Sequence, residues 1–501
     1  MNSQPRTAPA ARPSTDSLLR PRPELEPPSP PPRAPVVDAV VFGLIAAAIY
    51  VIAAPRILYG PDAFTFYQMA QQGGAVHWMH VLYLPVLRLA VRVTEPFGIE
   101  PFRALAGASA VATGLGLALL HRGAARLGAT RAQAIALLVL VGTTPAVAFF
   151  AVLLEVQGVF FGAVCIAWLA TTAFVAAPRA RHVLAIGLAT GLAALVHASG
   201  HVLPIAAAAF GLAMIDLRAL GLARLVCFGV VGAAAHFALP AAAQLAGFDI
   251  LGSTSNSAAF VSGSTQGAGG LEHFGVILRN EWLLSFAPSC LAVYAALRVP
   301  SLRRLLAAIH VPFAVYLFVA WALLGYTFGV HGIEHGAYFL PLAFPLAWLT
   351  VRSIPWPGVL ALALLGAASS WAHVRHETGE RAALYEPSAV IEALGSDAGL
   401  LVVQDAKDGE LLALDAPRLA LIPFDVIVGG APRSFDEIVA QLAVQIDDLH
   451  RQGRPVAFAS RVYDPLLAVD DALPRWLAQR YVVEPRRVRG FRCYAVVPKP
   501  R

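Results

Sequence analysis

Apolar stretches of membrane-spanning length follow one another between residues 36 and 373. A transmembrane helix needs roughly 20 apolar residues because the hydrocarbon core of a bilayer is about 30 Å thick. Only 14% of the 501 residues are charged and 57% are hydrophobic, whereas soluble domains carry about 25% charged residues. The sequence therefore predicts an α-helical polytopic membrane protein. We place about eleven spans at 36–54, 104–120, 132–150, 158–177, 183–197, 202–216, 225–246, 283–297, 305–328, 337–351 and 358–373.

The arginines alternate between the loops that join these spans. Arginine-rich loops carry Arg122, Arg126, Arg131, Arg179, Arg181, Arg218, Arg224, Arg298, Arg303, Arg304 and Arg352. Positively charged loops stay in the cytoplasm, so we expect a cytoplasmic N-terminus and a periplasmic or extracellular C-terminal part in a multi-pass protein of the cell membrane. The formal charge of +6 reflects these span ends and does not indicate a nucleic-acid partner.

The N-terminal segment has a different composition from the rest of the chain. Residues 1–35 contain eleven prolines and almost no large apolar side chains. Such a segment cannot bury enough surface to offset the entropy lost on ordering. We expect a disordered Pro-rich cytoplasmic tail over 1–35, a transmembrane domain over 36–373 and a linker over 374–384.

Residues 385–501 are predicted to form a small extramembrane α/β domain. The apolar runs "GLLVVQ" (399–404) and "PVAFAS" (455–460) are typical of buried strands. The stretch 434–453 has apolar residues at helical spacing and ends in glycine, which predicts an amphipathic helix. "RYVVEP" and "FRCYAVVP" are predicted to pair as closing strands.

Polar residues collect on the predicted outer side of the membrane. Asp62, His77 and His80 lie in the first outer loop, and Glu155 and Gln157 follow the third span. Further members of this set are His197, His201, His331, Glu334 and His335. Carboxylates and imidazoles at the hydrocarbon edge are costly unless they face a cavity or a partner, so we expect them to line a polar cavity that opens outward.

The spacing of His331, Glu334 and His335 also matches the H-x-x-E-H pattern of inverted zinc peptidases. A zinc hydrolase needs both histidines on one helical face and a third ligand. Gly329, Gly332 and Gly336 flank the motif and disfavour a rigid helix. A cavity-lining cluster that binds a polar or anionic ligand is therefore the preferred interpretation, and a divalent metal remains an open alternative.

Purely structural roles are alternatives for several of these residues. Asp62 in "PDAF" could cap a short helix, and His77 and His80 could sit at the membrane interface beside Trp78. In "HASGH", His197 and His201 could form a polar turn at the membrane boundary or, in a helical turn, bind a metal.

The order of the motifs resembles the GT-C superfamily of glycosyltransferases that use polyprenyl-phosphate sugars. The likeness is to its protein O-mannosyltransferase and aminoarabinose-transferase branch, and it covers roughly residues 36–373. Four segments carry the resemblance: "GPDAFTFYQMA" with Asp62 and Tyr67, "HVLYLPVLRLA" with His80, Tyr83 and Arg88, "TPAVAFFAVLLEVQGVF" with Glu155, and "AYFLPLAFPLA" with Tyr338. The chain departs from the family pattern at Ala63, Gln157 and Ala337, which marks it as a divergent member.

The resemblance implies a function for this set of residues. A GT-C enzyme moves a sugar from a lipid phosphate to an acceptor hydroxyl at the outer face of the membrane, for which Asp62 would be the catalytic base. Tyr67, His80, Tyr83, Arg88, Glu155, His197, His201, His331, Glu334, His335 and Tyr338 would bind the substrates. The implied partners are a polyprenyl-phosphate sugar donor, membrane lipid and an acceptor that the sequence does not identify.

Two other classes of function are compatible with the sequence. A transporter or lipid flippase would place charged residues near the membrane midplane and show broken helices in repeated halves. A non-catalytic membrane scaffold would use the C-terminal domain to bind a partner. The collection of polar groups at one membrane edge favours a glycosyltransferase of the bacterial cell envelope over these two classes.

Overall fold

The computed structural model describes residues 36–55, 63, 66, 67, 69, 70, 80–217, 220–248, 250, 271–287, 289–327, 335–384, 386–396, 398–403, 418–423, 435–469 and 472–499. The predicted tail over 1–35 lies outside these residues and stays a prediction.

Before residue 385, the described residues form helices that are joined by turns and short links. The α-helices are α1 (Val36–Ala53), α2 (Tyr83–Thr94), α3 (Pro101–Arg126), α4 (Arg131–Gly142), α5 (Pro145–Val152), α6 (Val156–Ala176), α7 (Ala180–Val196), α8 (Leu203–Met214), α9 (Leu222–Leu245), α10 (Leu271–Ile277), α11 (Ser289–Ala292), α12 (Pro300–Thr327), α13 (Ala343–Ser353) and α14 (Trp356–Leu384). Short 3-10 helices cover Glu95–Phe97, Ala198–Val202, Val293–Arg298 and Ala337–Leu342, and a π-helix covers Leu278–Leu284.

Every predicted span coincides with helix over most of its length. Among the described residues, six helices are long and apolar enough to cross a membrane by themselves. A seventh span results if α4 and α5, which meet at an angle of 66°, are counted together. The remaining predicted spans correspond to shorter or broken helices, so the count of eleven stays a prediction while the helical membrane architecture is confirmed.

The outermost helices expose apolar side chains along much of their length. On α1, Leu44 is 61% and Ile52 is 85% exposed, and on α9, Val230 is 64% exposed. The backbone of these helices is hydrogen-bonded internally, as a lipid environment requires. Their exposed faces are therefore suited to contact lipid chains.

Glycines allow two helix pairs to pack at backbone contact. A Cβ on Gly114 of α3 would lie 2.5 Å from the carbonyl oxygen of Gly43 in α1. A Cβ on Gly187 of α7 would lie 2.5 Å from the carbonyl oxygen of Gly232 in α9, and one on Gly191 would collide with the carbonyl oxygen of His236. Small residues permit this approach in membrane helices, and the α7–α9 contact forms one wall of the site described below.

Arginine-bearing helix ends meet on one side of the bundle. The Arg131 guanidinium pairs with the Asp38 carboxylate at 2.6 Å, and Arg352 donates to the Gln133 amide oxygen at 3.4 Å. These contacts bring the first turns of α1 and α4 together with the end of α13, as the alternating arginine pattern requires. The compartment that this side faces stays a prediction.

The C-terminal residues form a small α/β unit around a mixed five-stranded sheet. It consists of α15 (Pro387–Leu394), β1 (Leu400–Val403), β2 (Ala420–Pro423), α16 (Phe435–Arg451), β3 (Val456–Ala459), α17 (Ser460–Val469), α18 (Ala472–Arg480), β4 (Tyr481–Val488) and β5 (Phe491–Pro498). The strand order is β2-β1-β3-β5-β4, with β1 parallel to β2 and β3 and with β5 antiparallel to β3 and β4.

The predicted elements of this unit are confirmed. All residues of β1 and β3 are buried, and the closing strand pair is antiparallel. Strand β2 was not predicted, because its four residues carry too short a pattern to distinguish from a loop. The predicted linker 374–384 lies in the last turns of α14, so the domain boundaries stay predictions.

The glycine contact between α7 and α9 provides a stability test. Gly191→Ala should destabilise the folded protein by about 1–3 kcal/mol because the added methyl group meets the His236 carbonyl in a packed interface. Thermal unfolding of the detergent-solubilised protein measures this effect. Gly107→Ala on α3 is the matched control, since no atom lies within 4 Å of its Cβ position, and it should leave stability unchanged or raise it. Equal midpoints for the two variants would contradict the assigned contact.

Candidate functional site

A cavity of about 1100 Å³ lies between α7, α8 and α9. Most of its lining is apolar and includes Ile186, Leu212 and Phe228. Its polar lining residues are His80, Thr190, His197, Ser199, His201, His236 and Tyr338. Ligand sites typically combine an apolar wall with a few convergent polar groups, which makes this cavity the leading candidate site.

The cavity runs along the helices, and its lining is apolar at one end and polar at the other. Val183 near the start of α7, Leu212 near the end of α8 and Leu225 near the start of α9 line its apolar end. His197 and His201, which flank the junction between α7 and α8, line the other end. At about 1.5 Å per helical residue, Val183 and His197 are roughly 20 Å apart along the axis. The cavity is therefore amphipathic along its length.

Aromatic and imidazole rings stack at the polar end. The rings of His80 and His197 lie parallel with centroids 5.0 Å apart, and Tyr338 approaches His197 edge-on at 6.2 Å. The backbone N–H of Leu82 donates to the carbonyl oxygen of Leu195 at 3.0 Å, which ties the His80 segment to the end of α7. Three of the sequence-predicted residues thus meet at one end of the cavity.

The hydrogen bonds of His197 identify its tautomer. The backbone N–H of Ser199 donates to His197 Nδ1 at 3.2 Å, and the Ser199 hydroxyl lies 2.7 Å from the same nitrogen. Nδ1 is therefore an acceptor, and the neutral ring carries its proton on Nε2. His197 can donate this N–H to an anionic or polar group.

A directed chain of hydrogen bonds connects three further side chains. The Thr190 hydroxyl donates to the carbonyl oxygen of Gly187 at 2.9 Å, so its oxygen accepts from His236 Nδ1 at 3.0 Å. His236 Nε2 is then the acceptor for His201 Nδ1, also at 3.0 Å. In the neutral state this order leaves His201 Nε2 with a lone pair, so His201 can accept a proton and then donate it.

The described residues of the predicted first outer loop, called the first outer segment below, pack beside the polar end of the cavity. Phe66 is fully buried, and its ring contacts those of His80 at 5.7 Å and Tyr83 at 4.8 Å. Tyr67 is half-buried, and Arg88 donates to the carbonyl oxygen of Met69 at 3.3 Å. Tyr83 and Arg88 therefore support this segment. Asp62 and His77 lie outside the described residues.

Glu155 and Gln157 lie at the break between α5 and α6. Both are buried, and the Ser109 hydroxyl of α3 donates to the backbone carbonyl of Glu155 at 3.2 Å. The Gln157 amide oxygen accepts no hydrogen bond from the part of the chain that the structure describes. A Cβ on Gly158 would lie 2.6 Å from Ser109 Cβ, so the glycine permits the close approach that buries this turn.

His335 belongs to a second imidazole pair. Its Nδ1 lies 2.8 Å from Nε2 of His373 on α14, and the Phe149 ring covers both at 4.4 and 5.1 Å. One ring must donate and the other accept, so the pair cannot hold both rings doubly protonated in this geometry. His331 and Glu334 lie outside the described residues.

A buried carboxylate fixes the backbone directly after His335. Glu281 on the π-helix is 1% exposed, and its Oε2 accepts from the backbone N–H of Gly336 at 2.6 Å. Gly336 has a φ of 83°, and a Cβ there would lie 2.6 Å from Ser285 Cβ. Single π-helical turns are frequent at functional sites, and this turn brings Glu281 to the loop that carries the second imidazole pair.

The backbone after the H-x-x-E-H motif does not continue as an α-helix. His335 has a φ of 49° and Gly336 one of 83°, and two successive left-handed residues end a right-handed helix. Within the described ranges, no three His, Cys, Asp or Glu side chains are grouped closely enough to hold a metal ion. His335 instead contacts His373, and the choice between the cavity and zinc-peptidase interpretations stays a prediction because His331 and Glu334 lie outside the described residues.

Comparisons with solved structures identify the fold. ArnT from Cupriavidus metallidurans in the apo state superposes with a TM-score of 0.54 at 15% identity, over 92% of this chain and 97% of ArnT. The ArnT structure bound to undecaprenyl phosphate gives a TM-score of 0.51 at 16% identity over the same shares. The archaeal oligosaccharyltransferase AglB from Archaeoglobus fulgidus also matches, with a TM-score of 0.45, 12% identity, and coverage of 92% of this chain and 74% of AglB.

The chain has the fold of ArnT. This confirms the predicted architecture of a helical membrane part and a small C-terminal α/β unit. No known protein family matches the sequence, and no curated protein matches it either. At identities of 15–16% to ArnT, the likeness concerns the fold alone.

Within this fold, the predicted residues separate into groups. His80, His197, His201 and Tyr338 line the cavity, whereas His335 lies in the second imidazole pair and Tyr83 and Arg88 support the first outer segment. Sequence reasoning missed His236, His373 and Glu281. His236 carried a usable signal, because an ionisable residue inside an otherwise apolar span generally faces a cavity or a partner.

The Glu281–Gly336 hydrogen bond is testable by paired substitutions. Glu281→Ala should lower the free energy of unfolding by about 1–3 kcal/mol because it leaves a buried N–H without an acceptor. Glu281→Gln retains an amide oxygen that can accept and should lose less. Thermal unfolding in detergent measures both, and equal losses for the two variants would show that the charge rather than the acceptor oxygen sustains the site.

Proposed function

We propose that this protein is an integral-membrane glycosyltransferase. It moves a sugar from a polyprenyl-phosphate donor to an acceptor hydroxyl on the outer face of the membrane. The observation that carries the proposal is the cavity of about 1100 Å³, which is apolar over most of its length and polar at one end. A lipid phosphate has the same distribution, with a long hydrocarbon chain and a single anionic head.

The apolar end of the cavity suits a polyprenyl chain. From this end to the polar end the cavity extends over roughly 20 Å, which is a large part of the hydrocarbon thickness of about 30 Å. Gly229, Gly232 and Ala233 of α9 contribute small side chains to its wall, which leaves width for a branched isoprenoid chain. ArnT was solved bound to undecaprenyl phosphate, and its fold is the one this chain adopts.

The polar end supplies hydrogen-bond donors suited to a phosphate. His197 donates through Nε2–H, as its contacts with Ser199 require. His201 becomes a second donor on Nε2 when it is protonated, with its Nδ1–H held by His236. Donors aimed at an oxygen that gains negative charge stabilise the transition state. The GT-C pattern that the sequence resembles has arginines where this chain has Gln157 and Ala337. The two imidazoles offer a substitute for these arginines.

Asp62 is proposed as the catalytic base. The acceptor oxygen bonds to the anomeric carbon while its proton passes to the Asp62 carboxylate, and the bond from that carbon to the phosphate oxygen breaks. The electron pair of the broken bond leaves with the lipid phosphate. The proposal is supported by two described residues that follow Asp62 in the sequence: Ala63 and Phe66 are buried, and Phe66 contacts His80, which lines the polar end of the cavity.

The proposed base gives the first test of activity. Asp62→Asn should reduce transfer at least 100-fold because a carboxamide cannot accept the acceptor proton, and general-base catalysis typically contributes about 10²–10⁴-fold. Purified protein in nanodiscs is incubated with radiolabelled polyprenyl-phosphate sugars and a panel of hydroxyl acceptors, and product formation is measured.

Glu95→Gln provides the matched control for this substitution. Glu95 is an exposed carboxylate in the turn between α2 and α3, and its amide variant should retain wild-type transfer. Full activity of Asp62→Asn would remove Asp62 as the base. Absence of transfer by folded wild-type protein with every donor, despite lipid-phosphate binding, would argue for a binding or transport function.

Filling the cavity should block the donor. Gly229 lines the cavity, and no atom lies within 4 Å of its Cβ position, so Gly229→Trp can place an indole in the open space. Undecaprenyl-phosphate binding, measured by equilibrium dialysis in detergent, should weaken at least ten-fold. Gly107→Trp, also at an open helical position but not part of the cavity lining, should bind normally. Equal affinities would exclude this cavity as the lipid site.

A further inference from the structure

The hairpin formed by β4 and β5 opposes two arginines directly. In its antiparallel register Val488 pairs with Phe491 and Arg487 with Arg492. Directly opposite residues point to the same face with Cβ atoms about 4.5–5.5 Å apart, and like charges there destabilise the pair. Both side chains are exposed, and the sheet itself gives no reason for this juxtaposition.

The other two arginines of the hairpin have structural partners. Arg486 donates to the carbonyl oxygen of Ala393 at 2.9 Å, and Arg489 pairs with Glu386 and donates to the Ser388 hydroxyl at 2.8 Å. Arg487 and Arg492 form no ion pair with a carboxylate among the residues that the structure describes. Arg486 and Arg489 thus anchor the hairpin, whereas Arg487 and Arg492 are available to bind a ligand.

The opposed pair borders a pocket of about 330 Å³ between the hairpin and the start of α17. Ser460, Asp464, Arg486 and Tyr494 also contribute polar groups to its lining. The Tyr494 hydroxyl donates to the Asp464 carboxylate at 2.6 Å, and this hydrogen bond raises the pKa of Tyr494 to about 12. The carboxylate therefore accepts from a neutral donor, and among the described residues it forms no ion pair with either of the two arginines.

We propose that this pocket binds a phosphoryl group through Arg487 and Arg492. Two guanidinium groups facing one another can each donate a pair of parallel N–H groups to one tetrahedral dianion. Bound phosphate neutralises the repulsion that the strand register creates. The Ser460 hydroxyl offers an additional donor, and Asp464 lowers the affinity by its charge. The phosphoryl group can belong to a lipid headgroup or to a soluble phosphate ester.

Equilibrium dialysis of the full-length protein in an uncharged detergent against radiolabelled inorganic phosphate tests the site. Saturable binding should be weakened at least ten-fold by Arg487→Gln and by Arg492→Gln, and strengthened by Asp464→Asn. Arg451→Gln is the matched control, because Arg451 is an exposed arginine of the same domain that pairs with Asp448 outside the pocket. It should bind phosphate as the wild type does.

Unfolding measurements separate a lost ligand site from a damaged fold. In phosphate-free, low-salt buffer, Arg487→Gln should unfold at the same temperature as the wild type or higher, because it removes a like-charge repulsion. The proposal is overturned if wild-type protein binds no phosphate, if both glutamine variants bind like the wild type, or if Arg451→Gln loses as much affinity as they do. None of these readouts depends on glycosyl transfer.

A second probe distinguishes the two sources of the phosphoryl group. Dihexanoyl phosphatidic acid, used below its micelle concentration, presents a phosphate monoester on a lipid backbone. Binding at least ten-fold tighter than that of inorganic phosphate, and sensitive to both arginine substitutions, identifies a lipid headgroup. Equal or weaker binding with the same sensitivity identifies a soluble phosphate ester.

Discussion

The hydrogen-bonding demand of a lipid environment governs the transmembrane part of this protein. Hydrocarbon offers no partner to a polar group, so each one must be satisfied within the protein or face a water-filled or ligand-filled space. Two pairs of imidazoles follow this rule: His201 with His236 and His335 with His373. The broken helices follow it too, since the turns at Glu155 and Gly336 are held by Ser109 and Glu281.

The same requirement determines which imidazoles of the candidate site donate and which accept hydrogen bonds. The hydrogen-bond chain from His201 through His236 to Thr190 ends on the carbonyl oxygen of Gly187. Because each donor in this chain donates to the next group, the remaining lone pair lies on Nε2 of His201 at the cavity wall. His197, in contrast, is held by Ser199 as a donor. Two imidazoles at one end of the same cavity therefore have opposite hydrogen-bonding roles in their neutral states.

Local periodicity explains why much of the fold was predictable. The apolar stretches located the helices, and the amphipathic pattern over 434–453 located α16 (Phe435–Arg451). The breaks were harder to predict: the 66° bend between α4 and α5 lies at Thr143, Thr144 and Pro145, but the apolar residues on both sides together have the length of one span. The pairing of His335 with His373 depends on two segments 38 residues apart, and no local pattern carries that information.

The contact between α7 and α9 matters both for the stability of the fold and for the proposed chemistry. Gly187 both permits the close approach of the helices and accepts the hydrogen bond that ends the imidazole chain. Gly191, one turn further along α7, contacts the backbone of His236 itself. A change that separates these helices must lengthen the Thr190–His236 hydrogen bond and free His236 to change tautomer. The small residues of α7 therefore determine how closely the helices pack and which nitrogen His201 presents to the cavity.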